Sequence, residues 1–403
     1  MRLSRRLFLG QSLKFVSLSL VAPALFGDFA RAAPARPDSA RRVLVVLQLA
    51  GGNDGLNTVV PYKDPLYARY RPHLKIASSE LVTLSDRLAL HPALRPLEAL
   101  WQKGHMAVVE SVGYPNPDRS HFRSTEIWET AHLGPPRDGW IGRWLDGAPE
   151  ARANPLCAVH IGDELSLDMY SSRTPVTSME GVDDFTLRTY GPTGKSAAGA
   201  LQSMYASLPG EGVAGVLRRR ALDAFQTARA LADLEAGYVS AAAYPPGDFG
   251  RQLRLAAALV QADLGVRVIH VSLGSFDTHS GQAVRHRQLL DQLARGVAAF
   301  YADLEAMGRS GDVLTMSYSE FGRRVAENAS GGTDHGTAAP QFLFGPVKGG
   351  VYGGPPDLEN LQDGDLRHEV DFRQLYATVL GGWLGVRPES VLRGSFAPLP
   401  LLG

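Results

Sequence analysis

The chain has 403 residues, 44% of them hydrophobic, which is ample for one large core or for one core with an inserted subdomain. Lys plus Arg equals Asp plus Glu at 41 each, so there is neither the basic excess of a nucleic-acid binder nor the charge block of a solvated tail. The one cysteine, Cys157, has no partner for an internal disulfide.

The first element is a targeting segment. Ser4-Arg5-Arg6-Leu7-Phe8-Leu9 carries paired arginines, and the apolar stretch Phe15 to Phe26 behind it is too short to span a bilayer as a permanent helix. Ala30-Arg31-Ala32 has the small-x-small pattern of a cleavage site, which starts the mature chain at Ala33. The segment resembles a twin-arginine (Tat) signal. That implies passage through the Tat translocase in the folded state, and a periplasmic or secreted product without a permanent membrane anchor. An ordinary secretory signal carrying Arg-Arg is the alternative. A chain free of disulfides agrees with folding in the reducing cytoplasm first.

Arg42 to Leu49 is a continuous apolar run, expected of a strand buried on both faces of a parallel sheet, and it stops at the turn Ala50 to Gly55. Helical spacing follows over His91 to Lys103. Met106 to Val112 reads as a strand, Gly113 to Asp118 as a loop, Ser120 to Thr130 as a helix and Leu156 to Ile161 as a short strand. Between about 165 and 250 the texture is Ala-rich and helical, over 195–208 and 213–241, with no strand of core type. This stretch reads as a helical insertion or cap. Helix 249–264, strand 266–273, helix 282–307, strands 312–318 and 341–344 and helix 371–384 complete the chain. The alternation predicts an α/β fold with a mostly parallel central sheet and helices on both faces.

In such sheets ligands bind beyond the carboxyl ends of the strands. The polar residues there are Asn53 and Asp54, Ser120 and His121, Asp277 and His279, Glu320, and Asp334 and His335. In Asp277-Thr278-His279 a carboxylate and an imidazole two residues apart point to one side of an extended segment, as a metal requires. Asp334-His335 supplies another imidazole, and two His with a carboxylate suit Zn²⁺ or another divalent transition metal. Asp54 and Glu320 add hard oxygen donors for a second ion or for orienting the first ion's ligands. The bland reading makes Asp277 and Asp334 turn residues and both His surface residues. Ser120 opens a helix, where a hydroxyl is either a cap or a nucleophile facing an anion held by the helix dipole. Ser124 is the second choice. Arg119 and Arg123 fit an anion clamp or a solvated helix face, and Arg323 and Arg324 carry the same two readings. His121 is a proton donor or a polar first-turn residue. Asn53 binds substrate or shapes the turn.

Together, LVVLQLAGGNDGLNTVVPY (44–62), GYPNPDRSHFRSTEIWETA (113–131), FDTHSGQ (276–282), YSEFGRR (318–324) and GGTDHGTAAPQFLFG (331–345) resemble the Tat-exported bacterial family known as domain of unknown function 1501. That family in turn resembles the alkaline phosphatase/sulfatase superfamily. The second resemblance implies metal binding by Asp54, Asp277 and His279, and a nucleophile at Ser120. Two fits then compete. By letters, Asp334-His335-Gly336 matches the superfamily's Asp-His-Gly. By topology, Glu320-Phe321-Gly322 takes that place after its strand and His335 becomes the last metal-binding His, which is the preferred fit. Phe321 cannot coordinate a metal, so one ion is expected rather than two, with Zn ahead of Ca, Mn or Mg. The implied activity is metal-dependent hydrolysis of phosphate or sulfate esters, with an anionic ester of a small molecule or polymer as substrate. The alternative is a non-catalytic periplasmic binding or assembly protein on the same fold, which Phe321 favours. A redox role finds no G-x-G-x-x-G fingerprint and no cysteine cluster.

Overall fold

The structure, a computed structural model, describes residues 41–135, 138–154, 156–174, 176–179, 194–215, 217–218, 221–222, 225, 234 and 237–402. The expected export signal lies outside the described residues, as does much of the helix expected over 213–241.

The strands are, in chain order, β1 (Val43–Leu49), β2 (Val59–Val60), β3 (Val82–Thr83), β4 (Ala89–Leu90), β5 (Met106–Gly113) and β6 (Ala158–Ile161). They continue with β7 (Thr177–Met179), β8 (Val268–Leu273), β9 (Val313–Tyr318), β10 (Ala339–Phe344), β11 (Gly350–Tyr352) and β12 (Val370–Asp371). The main helices are α1 (Gly55–Thr58), α2 (Pro65–Tyr70), α3 (Glu98–Gln102), α4 (His121–Thr130), α5 (Trp140–Gly147), α6 (Asp248–Gln261), α7 (Gln282–Ala306) and α8 (Phe372–Gly382).

One sheet runs β11-β5-β10-β9-β1-β8-β6-β7, with β12 beside β5, while β2, β4 and β3 form a small second sheet. In the large sheet only β10 runs against the rest, so the fold is α/β with a mostly parallel sheet, as expected. β1 shows why its sequence is apolar without alternation. Parallel strands flank it on both edges, and both faces are covered. Val43, Val45, Leu47 and Leu49 pack with Phe249 and Leu253 of α6 and Leu290, Leu293 and Phe300 of α7. Leu44 and Val46 face the other way, with Trp128 of α4, Trp140 of α5 and Tyr376 of α8. Cys157 is buried in that second layer, where burial pushes its thiol up to about 12 and leaves it inert.

The expected helix over His91 to Lys103 is split. A 3-10 segment spans Pro92–Leu97, and the α-helix α3 starts only at Glu98. Pro96 is the reason, since it has no N–H for an α-helical bond and its ring crowds the carbonyl four residues back. Within 165–250, the expected texture is broken by β7, which pairs in parallel with β6. At three residues, β7 is too short to register as an apolar run. Helix Gly194–Ala206 lies where a helix was expected over 195–208.

Candidate active site

The parallel strands β1, β5, β8 and β9 end on one edge of the sheet, and β10, running back, starts there. Each end therefore delivers its following residues to the same place. The turn after β1 depends on Gly51 and Gly52, at φ 115° and 74°. A Cβ on Gly51 would stand 2.5 Å from the backbone nitrogen of Asp277, and one on Gly52 2.3 Å from the Phe321 ring. Bare backbone at these two positions lets the ends of β1, β8 and β9 close together.

Asp277, His279 and His335 meet at this edge. Asp277 Oδ1 lies 3.0 Å from His279 Nε2 and 3.2 Å from His335 Nε2, and the two nitrogens are 2.9 Å apart. His121 Nε2 is 3.6 Å from Asp277 Oδ2, and the ligand atoms of His121, Asp277 and His335 all lie within 4.8 Å of one another.

The outer nitrogens of these rings are all engaged. His121 Nδ1 is 2.7 Å from Glu320 Oε1, His279 Nδ1 is 3.0 Å from Asp334 Oδ1, and His335 Nδ1 is 2.8 Å from the Arg119 carbonyl. A carbonyl or an ionised carboxylate only accepts, so each ring donates its Nδ1–H outward. With their Nδ1 atoms held outward, His279 and His335 turn Nε2 toward Asp277. His121 Nε2 is buried without a hydrogen-bond partner.

The charges fit this arrangement. Partial burial works against ionisation of Asp277, but Arg323 donates to its Oδ1 at 2.6 Å and the carboxyl is held down at about 2. Burial depresses His335, favouring the neutral ring. The hydrogen bond from His279, with that from Asn328, lowers Asp334. His121 goes the other way, its pKa raised by the hydrogen bond to Glu320. Two lone-pair nitrogens 2.9 Å apart beside a carboxylate repel one another unless a cation or proton sits among them. Zinc bonds of about 2.0–2.1 Å in a tetrahedron put neighbouring donors about 3.3 Å apart. The observed separations of 2.9 to 3.2 Å are close to that spacing.

The other expected residues are placed differently. Asp54 is fully buried and forms no ion pair with His121, His279 or His335 among the described residues. Arg71 of the chain just after α2 donates to both its oxygens, at 2.6 and 3.0 Å, and Gln282 donates to Oδ2. Where a metal ligand was expected, the structure has a buried ion pair. Burial opposes the charge on Asp54, but Arg71 outweighs it and the carboxyl stays below its usual range. Glu320 accepts from the Gly51 N–H at 2.9 Å and holds His121, so it orients the cluster from outside. Asp334 does the same for His279. Asn53 is buried; its side-chain oxygen meets Thr58 at 3.0 Å and His286 at 2.9 Å, which makes it part of the turn's framework.

Ser120 is the N-cap residue of α4, is exposed, and makes no side-chain capping bond. Its backbone N–H instead goes to Asp118 Oδ1 at 2.8 Å. Ser124, the second choice for a nucleophile, is fully buried and donates to the Glu320 carbonyl. Neither of the expected anion-clamp arginines is uncommitted. Arg119 donates to buried Asp365, at 2.7 Å from Nε, and Arg123 pairs with Glu126 and donates to the Gly134 carbonyl at 3.1 Å. Arg324 donates to the Asp363 carbonyl at 3.0 Å.

Arg323 is neither solvated nor an anion holder. It is buried and donates to the carbonyls of Gly51, Gly52, Phe276 and Thr333 as well as to Asp277, tying the ends of β1, β8 and β9 together. Nothing in the sequence distinguishes it from its exposed-looking neighbour, since both follow the same strand. Arg71 was missed for a similar reason, because its partner is fixed only by how α2 packs on the β1 turn. Phe321 packs against His121 and His335, with ring centroids 4.8 Å away in each case.

Among the described residues, no helix is long and apolar enough to cross a membrane. No curated protein matches the chain. Among solved structures it is similar to Ps i-CgsB in complex with k-i-k-neocarrahexaose, at 10% identity, covering 89% of this chain and 75% of that one, with a TM-score of 0.41. It is also similar to the alkaline phosphatase from the Antarctic bacterium TAB5, at 12% identity, 77% and 94% coverage and a TM-score of 0.32. A third is the PsFucS1 sulfatase from Pseudoalteromonas sp., at 12% identity, 85% and 68% coverage and a TM-score of 0.34. The model of the family described as "Protein of unknown function (DUF1501)" matches residues 40–394, and the chain belongs to that family.

Proposed function

We propose that the protein is an exported, metal-dependent hydrolase of phosphate or sulfate esters. The observation that carries this reading is the convergence of Asp277, His279 and His335 with Nε2 atoms turned inward and Nδ1 atoms held by Arg119 and Asp334. These three residues would hold one divalent ion. Imidazole donors favour zinc over calcium or magnesium, with manganese between them. Three protein ligands leave a position for substrate, and there the ion would neutralise and orient the ester's oxygens. The buried pair Asp54–Arg71 supports the turn and supplies no second ion.

The chain's own groups divide the chemistry. Ser120, exposed and free of a capping bond, forms the bond to phosphorus or sulfur as its hydroxyl proton passes to solvent. The bond to the leaving oxygen breaks, and that oxygen takes a proton from His121 Nε2. The raised pKa of His121 keeps the proton available, and Glu320 holds the ring in place. Neutral His121 then takes a proton from the water that cleaves the Ser120 ester, and Ser120 regains its own from solvent. The paired arginines at residues 5 and 6 assign the protein to Tat export and the periplasm or exterior, which would allow the ion to be inserted before translocation.

Ser120→Ala tests this mechanism. The variant is expected to lose turnover of p-nitrophenyl phosphate and p-nitrophenyl sulfate by at least about 100-fold while its metal content stays at the wild-type level. Unchanged turnover would remove Ser120 from the reaction. A second reading, a binding protein that retains the metal, is favoured by Phe321, which fills the place of a ligand. It predicts bound metal and no turnover of either ester in the wild-type protein.

A further inference from the structure

Two short segments carry the three proposed ligands. Asp277-Thr278-His279 lies beyond β8, and Thr333-Asp334-His335 lies ahead of β10. Each segment holds one threonine, and both threonines are buried. Their hydroxyls meet at one atom. Thr278 donates to Gln282 Oε1 at 3.1 Å, and Thr333 donates to the same oxygen at 2.6 Å. Gln282 opens α7 and is fully buried, and its side-chain Nε2 donates to Asp54 Oδ2.

The amide has one orientation open to it. Asp54 is kept ionised by Arg71 and only accepts, so Gln282 turns its NH₂ to Asp54 and its oxygen to the threonines. A hydroxyl has a single proton to give, and each threonine gives it here. Backbone bonds continue the junction. The Gln282 N–H donates to the Gly331 carbonyl at 2.9 Å, and the Thr333 N–H donates to the Thr278 carbonyl at 3.2 Å. Other side-chain links between the two segments, from His279 to Asp334 and from Asn328 to the His279 carbonyl, are exposed to water. Hydrogen bonds gain strength away from water, so the buried junction is the stronger tie.

We propose that Gln282 is a positioning residue for the metal centre, clamping the segment that carries Asp277 and His279 to the segment that carries His335 through its shared side-chain oxygen. This rests on the metal-binding part of the hydrolase reading. What the clamp sets is the 2.9 Å separation of the His279 and His335 Nε2 atoms, each carried on a different segment. It also gives buried Asp54 a task, that of fixing which way the amide faces.

The test is Zn²⁺ affinity, measured by competition with a chromophoric chelator. Gln282→Met removes the amide and keeps the side chain's length, and the double variant Thr278→Val/Thr333→Val removes both donors and keeps their shape. In each, Kd is expected to rise at least about tenfold, the lower end of the cost of losing a group that orients a ligand. Thr278→Ser keeps its hydroxyl and should bind zinc as wild type does. Leu293, in the core on the same helix, supplies the control, since Leu293→Ala destabilises the fold without touching the junction and should leave Kd unchanged. An unchanged Kd in the double valine variant, or an equal rise in Leu293→Ala, overturns the proposal, whether or not Gln282→Met folds. Turnover enters none of these readouts, so zinc binding without hydrolysis of either ester ends the hydrolase reading alone. If wild type binds no zinc, the metal reading fails and amide exchange judges the clamp. Protection of the amide at position 333 should then fall at least about tenfold in the double valine variant, and equal protection overturns the clamp.

Discussion

Asp277→Ala, purified beside wild type, is expected to come out nearly free of metal, where wild type carries close to one equivalent. Asp277 is the residue on which the cluster turns. Its Oδ1 contacts both His279 and His335, and Arg323 keeps it ionised. Residues that only orient a ligand cost about 10–100-fold in affinity when removed, so a ligand itself should cost more than about 100-fold. The fold should survive, because Arg323 keeps its four carbonyl acceptors. Asp277→Asn, which preserves shape, should lose metal too. Elemental analysis of the three proteins decides it. Full metal content in both variants would mean that the ion, if present, is held elsewhere.

The second large effect is on stability. Arg71→Met should destabilise the protein by about 3–5 kcal/mol and leave metal content unchanged. Arg71 and Asp54 are both fully buried, and removing the guanidinium leaves a carboxylate in the core with the Gln282 amide donating to it and no cation beside it, since burial lowers His286 to about 4 and leaves its ring neutral. It also strands the carbonyls of Arg324 and Val325, which Arg71 serves. Urea titration gives the loss, and metal analysis of the folded fraction gives the contrast. A stable Arg71→Met protein that had lost its metal would return Asp54 to the role of ligand.

These two experiments separate what the sequence made legible from what it did not. Strand placement was legible because β1, β5, β8 and β9 are buried apolar runs, and a parallel sheet then fixes which loops meet. That logic brings Asp277, His279 and His335 together without any distance being known. The topological fit, with Glu320 after β9 and His335 ahead of β10, also describes the chain's path. What was not legible is pairing between side chains. Asp54 stands where a ligand would, but Arg71, 17 positions later, reaches it first, and that depends on the packing of α2. Arg323 and Arg324 are neighbours in sequence, yet one is buried at the centre of the site and the other bonds a loop carbonyl at 3.0 Å. Short strands were lost for another reason. β7, β11 and β12 have three, three and two residues, too few for any periodicity.

The most direct measurement is anomalous diffraction at the zinc edge from crystals of the zinc-loaded protein. The account predicts one strong peak about 2.0–2.2 Å from Asp277, from His279 Nε2 and from His335 Nε2. A peak on Asp54, or no peak among these three side chains, would contradict it.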